Sequence, residues 1–263
     1  MERQVIKFVV LGHRRSGSTL LLCDLLVHRN VYMFGELFNE SEDERRRAFV
    51  SGLRGCTVAR RRGIDENRFY RDGQDAAAFL KNLVFYDHYW EPVAVGFKLL
   101  YHQARNDENG RHAWDYLVAD KDIRVIRLVR RNMLESMLSL RIAYQTNEWA
   151  RLKNESESPV TVPAPMHLSP EECEDYFNQI EQSQEWARNM FSDHRLLEVD
   201  YESDLCRGFQ NTMHRIHDFL EVPRRRARKM LQKQARRTPA EQIRNYQQLK
   251  AHFAATPYAG WFQ

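Results

Sequence analysis

An α/β domain, a P-loop-like parallel sheet flanked by helices, is predicted by three observations in this sequence. The β-branched and aromatic run Phe8-Val9-Val10-Leu11 leads through Gly12-His13-Arg14-Arg15-Ser16-Gly17-Ser18-Thr19 into the leucine-rich Leu20 to Val27, the order strand, phosphate loop, helix. Further short apolar runs then alternate with segments of helical period, which is how a parallel sheet with crossover helices reads. At 263 residues and 43% hydrophobic content the chain can bury one large core, so a single domain over residues 1–263 is expected.

The loop is built for an anion. Its glycines let successive backbone N–H groups face inward, and the hydroxyls of Ser16, Ser18 and Thr19 add donors where a helix begins. The spacing from Gly12 to Gly17 is that of a nucleotide-triphosphate loop, but Ser18 stands where that motif places its lysine, and the cations lie upstream at Arg14 and Arg15. A lysine spanning the β- and γ-phosphates is thereby missing, which argues against ATP or GTP chemistry. The arginine before Ser-Gly-Ser-Thr suits an anhydride whose leaving group is a single phosphate, with no metal.

The remaining elements follow in order. Asn30 to Phe34 reads as a second strand ending at Gly35-Glu36-Leu37-Phe38-Asn39, so Glu36 falls at a carboxyl edge, where open parallel sheets bind ligands. Ser41 to Arg62 and Gly73 to Asp87 read as covering helices. Pro92 to Leu100 is a buried strand with Lys98 inside it, a lysine that either snorkels to an edge or points into the site. A helix around Ala113 to Val118 leads to a central strand, Ile123 to Asn132, whose end delivers Arg130 and Arg131. The helix Met133 to Ala143 carries Ser136 and Ser139, placed so that Arg131 and Ser139 can hold one phosphate from two sides. Asn154 to Pro170 is a proline-interrupted loop, a candidate lid. Ser169-Pro170-Glu171-Glu172 opens a capped helix reaching Phe191, His194 to Tyr201 is a last strand, and helices are expected over Arg207 to Leu220, Pro223 to Gln234 and Pro239 to Phe253. The aromatic tail Tyr258 to Phe262 is expected to pack back.

Formal charge is +4, and the arginines gather in Arg45 to Arg47, Arg60 to Arg62, Arg224 to Arg226 and Arg236-Arg237. Such runs are read as solvated helix faces in a protein whose mild basicity suits a polyanionic ligand, with no nucleic-acid partner. Cys23, Cys56, Cys173 and Cys206 lie apart with no ligand cluster, which predicts reduced thiols and no metal. The N-terminus enters the first strand directly and no 18-residue apolar run occurs, so no membrane span and a cytoplasmic location are expected.

Three segments together carry a resemblance: Arg15-Ser16-Gly17-Ser18-Thr19, the run IRLVRRNMLESMLSLRIAYQTNEWARL, and LLEVDYESDL before a helix. They resemble the sulfotransferase superfamily that uses 3′-phosphoadenosine 5′-phosphosulfate (PAPS), and in particular its bacterial Stf0 and nodulation NodH type. Gly35 to Asn39 and the ending IRNYQQLKAHFAATPYAGWF are similar to that type as well. The resemblance implies the sulfotransferase fold, with Arg15, Ser16, Gly17, Ser18 and Thr19 on the 5′-phosphosulfate, Arg131 and Ser139 on the 3′-phosphate, and Glu36 as base. It implies catalysis by Glu36 and Arg15, PAPS as donor substrate without metal, and a hydroxyl-bearing acceptor, a carbohydrate or glycolipid, with a small polar metabolite as the alternative.

Many eukaryotic relatives carry Lys-Thr-His where this chain has Gly96-Phe97-Lys98-Leu99-Leu100, a departure that argues against a histidine base; His102, four residues after Lys98, is the reserve candidate, a part for Lys98 is left open, and His13 is read as shaping the loop. A P-loop kinase and a polyanion-binding module built on the arginine runs are the competing readings. A homodimer is left open.

Overall fold

The computed structural model describes residues 5–55, 65–86, 94–105, 108–151, 163–231 and 237–262. Five parallel strands, β1 (Ile6–Gly12), β2 (Val31–Glu36), β3 (Ala94–Leu100), β4 (Arg124–Val129) and β5 (Leu196–Asp200), form one sheet in the order β2-β3-β1-β4-β5. The predicted α/β class, a parallel sheet flanked by helices, is what the chain adopts. β1 lies at the centre between β3 and β4; the connection from β1 runs to β2 at one edge, and the connection from β3 passes it to β4 on the other side. Its carboxyl end is therefore where the crossovers part and a crevice opens.

Alternation along β1 sorts the core into two layers. Val9 and Leu11 join Phe34, Phe97, Leu99, Val125 and Trp114 on one face, under α2 (Glu42–Gly55), α3 (Ala76–Phe79) and α4 (Glu108–Ala119). Phe8 and Val10 join Leu21, Leu25, Met33, Ile126 and Val199 on the other, under α1 (Ser18–Leu26) and α7 (Phe209–Phe219). Truncating a fully buried ring such as Phe34 or Phe97 to alanine would cost on the order of 3–5 kcal/mol. β3 and β4 are buried along their whole lengths, and the charges they carry are paired: Lys98 with Glu36, Arg124 with Glu221 and Arg127 with Glu198.

A third apolar cluster joins α5 (Met133–Thr146) and α6 (Pro170–Met190) to Ile243, which follows α8 (Pro239–Gln242), and to α9 (Tyr246–His252). Ser169 caps α6, with a reciprocal bond from its backbone N–H to Glu172, as read from the sequence. The aromatic tail packs back: Phe262 stacks on Phe253 at 4.9 Å and Trp261 meets Phe177 edge-on. Within the expected loop, residues 152–162 lie outside the described residues, so the lid expectation falls largely there. Its remainder is held, since Met166 bridges Ile243 and exchanges backbone bonds with Gln242 and Arg244.

Two expectations are corrected. Pro223 to Gln234 is not a helix over its described part: residues 223–230 run without regular structure. The backbone N–H of Arg228 goes to Asp24 Oδ1 at 2.6 Å and that of Ala227 to Gln210 Oε1 at 2.9 Å, so side chains from two helices satisfy donors that a helix would have used itself. Pro239 to Phe253 is interrupted at Ile243, whose extended backbone makes the bridge to Met166. Cys23, Cys173 and Cys206 are free thiols, and Cys56 lies outside the described residues. Among the described residues no helix is long and apolar enough to cross a membrane.

Candidate active site

The loop between β1 and α1 turns on two left-handed residues, Arg15 at φ 65° and Gly17 at φ 88°. Gly17 is also enclosed: a Cβ there would lie 2.6 Å from Tyr201 and 2.9 Å from Leu205, so both conformation and space require glycine. Arg15, which does have a side chain, is kept in the unusual conformation by Arg130. That arginine, 3% exposed, donates from Nη1 to the Arg15 carbonyl at 2.9 Å and from Nη2 to Glu135 at 3.0 Å, while its guanidinium lies over the Tyr201 ring at 4.5 Å.

Ser16 is fully buried and its Oγ makes no hydrogen bond among the described residues. An orphaned hydroxyl at the foot of a helix N-terminus, in a loop that also carries Arg15, is a donor set for an anion. Burial and the nearby charge of Arg130 both lower the pKa of Arg15, the mark of cations crowded together, yet a guanidinium remains charged. Ser18 is buried in the first helical turn and Thr19 follows it on α1. These residues can together hold an anionic group.

Glu36 stands at the carboxyl end of β2, as expected. A bulge between Phe34 and Glu36 sets it directly across from Lys98 in β3. Gly35 serves that bulge and a packing contact, because a Cβ on it would press on the Ala48 Cβ of α2 at 2.9 Å. Lys98 Nζ pairs with Glu36 Oε1 at 2.6 Å and donates to Thr19 Oγ1 at 3.4 Å, so the lysine points into the site and joins strand β2 to the loop. Glu36 Oε2 accepts from Gln103 Nε2 at 2.7 Å and Asn39 Nδ2 at 2.9 Å. Burial pushes the Glu36 carboxyl up, but the charge of Lys98 and the bonds from Lys98, Asn39 and Gln103 outweigh it and hold the group below the usual carboxylate range.

His102 lies 3.7 Å from Glu40, which also pairs with Arg14 at 3.0 Å. Burial and the charge of Arg14 bring the His102 pKa down to about 4, so it is neutral at pH 7 and a weak base. His13 is buried against its own loop through the Arg14 carbonyl and is likewise lowered to about 4, chiefly by burial, in keeping with a loop-shaping role.

The structure places Arg131 and Ser139 apart in their partners. Arg131, 71% exposed, donates from Nε to Asp200 Oδ2 at the end of β5, whereas Ser139 accepts from Arg15 Nε at 2.9 Å. Burial pushes the Asp200 carboxyl up, and the bonds from Ser203 and Arg131 hold it below its ordinary value. Arg15 therefore reaches from the loop to α5, and its Nη1 donates to the Trp149 carbonyl at 2.6 Å. Sequence reasoning did not find Arg130 as the loop's clamp, nor Gln103 and Asn39 as the holders of Glu36. The adjacent pair Arg130-Arg131 at a strand end was the available signal for the first, and nothing in local pattern marks the others.

No family model matches the chain. Over 149 residues it is 34% identical to nodulation protein H of Rhizobium meliloti, a match covering 56% of this chain and 59% of that protein. Over 152 residues it is 33% identical to nodulation protein H of Rhizobium tropici, covering 57% and 59%. The match thus spans less than two thirds of the curated relatives' length. The crystal structure of sulfotransferase STF9 from Mycobacterium avium aligns with 97% of this chain and 69% of that one, at 14% identity and a TM-score of 0.41. The resemblance to the NodH type, read first from the phosphate loop, the arginine-serine segment and the C-terminal run, is borne out as sequence similarity to nodulation protein H over more than half of this chain.

Proposed function

We propose that this protein is a PAPS-dependent sulfotransferase acting on a hydroxyl of a carbohydrate or glycolipid, in the cytoplasm, with residues 1–263 forming one catalytic domain. The observation that carries the reading is the convergence on one sheet edge of a lysine-free phosphate loop, with its orphaned Ser16 hydroxyl and Arg15, and of the Glu36 carboxylate tied to Lys98. The similarity to nodulation protein H supports it.

The donor supplies an activated sulfuryl group. The acceptor oxygen forms a bond to sulfur while the bond from sulfur to the phosphate oxygen breaks, giving a sulfate ester and adenosine 3′,5′-bisphosphate, and the acceptor proton passes to Glu36. Arg15, the loop N–H groups and the hydroxyls of Ser16, Ser18 and Thr19 hold the phosphosulfate end and neutralise charge on the leaving oxygen, which a group transfer of this type needs more than covalent help. Arg130 keeps that loop in shape. Arg131 and Ser139 are assigned to the 3′-phosphate. A carboxylate of lowered pKa suffices as base, since the hydroxyl proton becomes acidic as its oxygen bonds to sulfur.

Incubation with PAPS and panels of sugars, glycolipids and metabolites, followed by mass spectrometry, should show one class gaining a sulfuryl group without added magnesium. Phosphorylated products from ATP and magnesium, with none from PAPS, would make it a P-loop kinase instead.

A further inference from the structure

Tyr144 and Trp149 stand exposed beside the loop, at 56% and 43%, although large rings ordinarily leave water when they can. Their rings meet edge to face, with centroids 5.1 Å apart and planes at 82°. Tyr144 lies in the last turns of α5, and the left-handed Asn147 turns the chain so that Trp149 comes back against it. Both are fixed to the phosphate loop: Tyr144 Oη accepts from Arg14 Nη1 at 2.8 Å, and the Trp149 carbonyl accepts from Arg15 Nη1.

Arg14 also ties this corner to the Glu36 side. It pairs with Glu40, Glu40 faces His102, and the next residue, Gln103, donates to Glu36. One line of polar contacts thus runs from the aromatic pair to the carboxylate that would accept the acceptor's proton. An open cleft of about 430 Å³, bordered by Gln145, Thr146, Pro165, His167 and Arg244, begins at the residue after Tyr144.

We infer that Tyr144 and Trp149 form the platform on which a sugar ring of an oligosaccharide acceptor stacks. A pyranose presents a face of C–H groups that packs on an aromatic ring, while its rim of hydroxyls needs charged partners, which Arg14, Glu40 and His102 supply beside the pair. The cleft bordered by Gln145 and Thr146, at the same end of α5 as Tyr144, offers room for a further unit of an oligosaccharide. The adenine of the donor is the competing occupant, and the path from Arg14 through Glu40 and His102 toward Glu36 favours the acceptor.

This inference rests on the sulfuryl-transfer reading for its acceptor, but its test does not need turnover. Calorimetry with cellotetraose and with the β-linked N-acetylglucosamine tetramer, each at saturating adenosine 3′,5′-bisphosphate, compares the wild type with Tyr144→Ala, Trp149→Ala and Trp149→Phe. At least one tetrasaccharide should bind the wild type, lose about tenfold or more in affinity in each alanine variant, and recover most of it in Trp149→Phe, while the bisphosphate stays within about twofold. Bisphosphate affinity falling as far as sugar affinity would make the pair an adenine platform and overturn the inference. Unchanged sugar affinity, or no binding of either tetrasaccharide to the wild type, would overturn it as well. Loss of sugar binding in a protein that transfers no sulfuryl group would leave the platform standing and remove the proposed activity.

Discussion

Lys98 Nζ sits 2.6 Å from Glu36 Oε1, a pair made by a one-residue irregularity in the β2–β3 register and sealed from most of the solvent. The lysine holds the carboxylate ionised and, through Thr19, holds it next to the phosphate loop. Glu36→Gln keeps shape and hydrogen bonding but removes basicity, so turnover should fall by at least about a hundredfold with donor binding within a few-fold. Lys98→Met removes the charge that lowers the Glu36 pKa and leaves burial, which raises it. The acid limb of the kcat/KM profile should therefore move to higher pH in that variant, with the basic limb in place. Nearly full activity in Glu36→Gln, with Lys98→Met or His102→Ala dead, would move the base to the β3 end.

The loop depends on Gly17. A methyl group there would meet the Tyr201 ring at 2.6 Å in a backbone conformation that L residues rarely adopt. Gly17→Ala should weaken adenosine 3′,5′-bisphosphate by about tenfold or more and lower the unfolding midpoint, since positive-φ strain alone costs roughly 1–3 kcal/mol. Arg15→Ala, which leaves the backbone path free, should weaken turnover more than it weakens bisphosphate binding. Titration of each variant in the absence of magnesium checks both, and wild-type affinity in Gly17→Ala would show that the nucleotide lies elsewhere.

How much could be read before the structure depended on whether a feature is local. Phe8 to Thr19 states its own strand, turn and helix, and the cap at Ser169 states the start of α6, because period and capping chemistry act over a few residues. Glu36 at a strand end followed from that order. Its pairing with Lys98 did not, because a register shift across two strands 62 positions apart leaves no trace in either. The helix expected after Pro223 was lost for the same reason: Asp24 and Gln210, remote in sequence, capture the backbone donors of Arg228 and Ala227.

His217 gives the fold a pH dependence. It is fully buried on α7 with neither ring nitrogen hydrogen-bonded among the described residues, its ring 4.9 Å from that of His28 and 6.4 Å from that of His214. Burial lowers its pKa to about 4, and His28, Arg225 and His214 press the same way against Asp218. The unfolded chain takes up this proton near pH 6.5 and the folded one only near 4, so stability is intact above 6.5 and falls as pH drops through that window, by about 1.4 kcal/mol per pH unit for each such histidine. Unfolding midpoints between pH 7 and 4 should decline less steeply in His217→Phe than in the wild type. Parallel declines would assign the acid sensitivity to other groups.

Arg131 is held away from Ser139 by Asp200, and its 71% exposure leaves it free to swing only if that carboxylate lets go. A 3′-phosphate bearing nearly two charges competes with a carboxylate for the same guanidinium, while Ser139 lies already within reach of Arg15, so binding would exchange one ion pair for another and draw the strand end and α5 together. Losing a charged hydrogen bond costs roughly 1.5–3 kcal/mol, so Arg131→Ala should weaken adenosine 3′,5′-bisphosphate by about tenfold to a hundredfold or more. Asp200→Asn should act the other way, releasing Arg131 and tightening the bisphosphate by a few-fold, provided the fold holds with Ser203 still bonded at position 200. Adenosine 5′-monophosphate, which lacks the 3′ group, is the internal control and should be nearly indifferent to both changes. Equal losses for the two nucleotides in Arg131→Ala would refute the 3′-phosphate assignment and leave Arg131 a surface partner of Asp200.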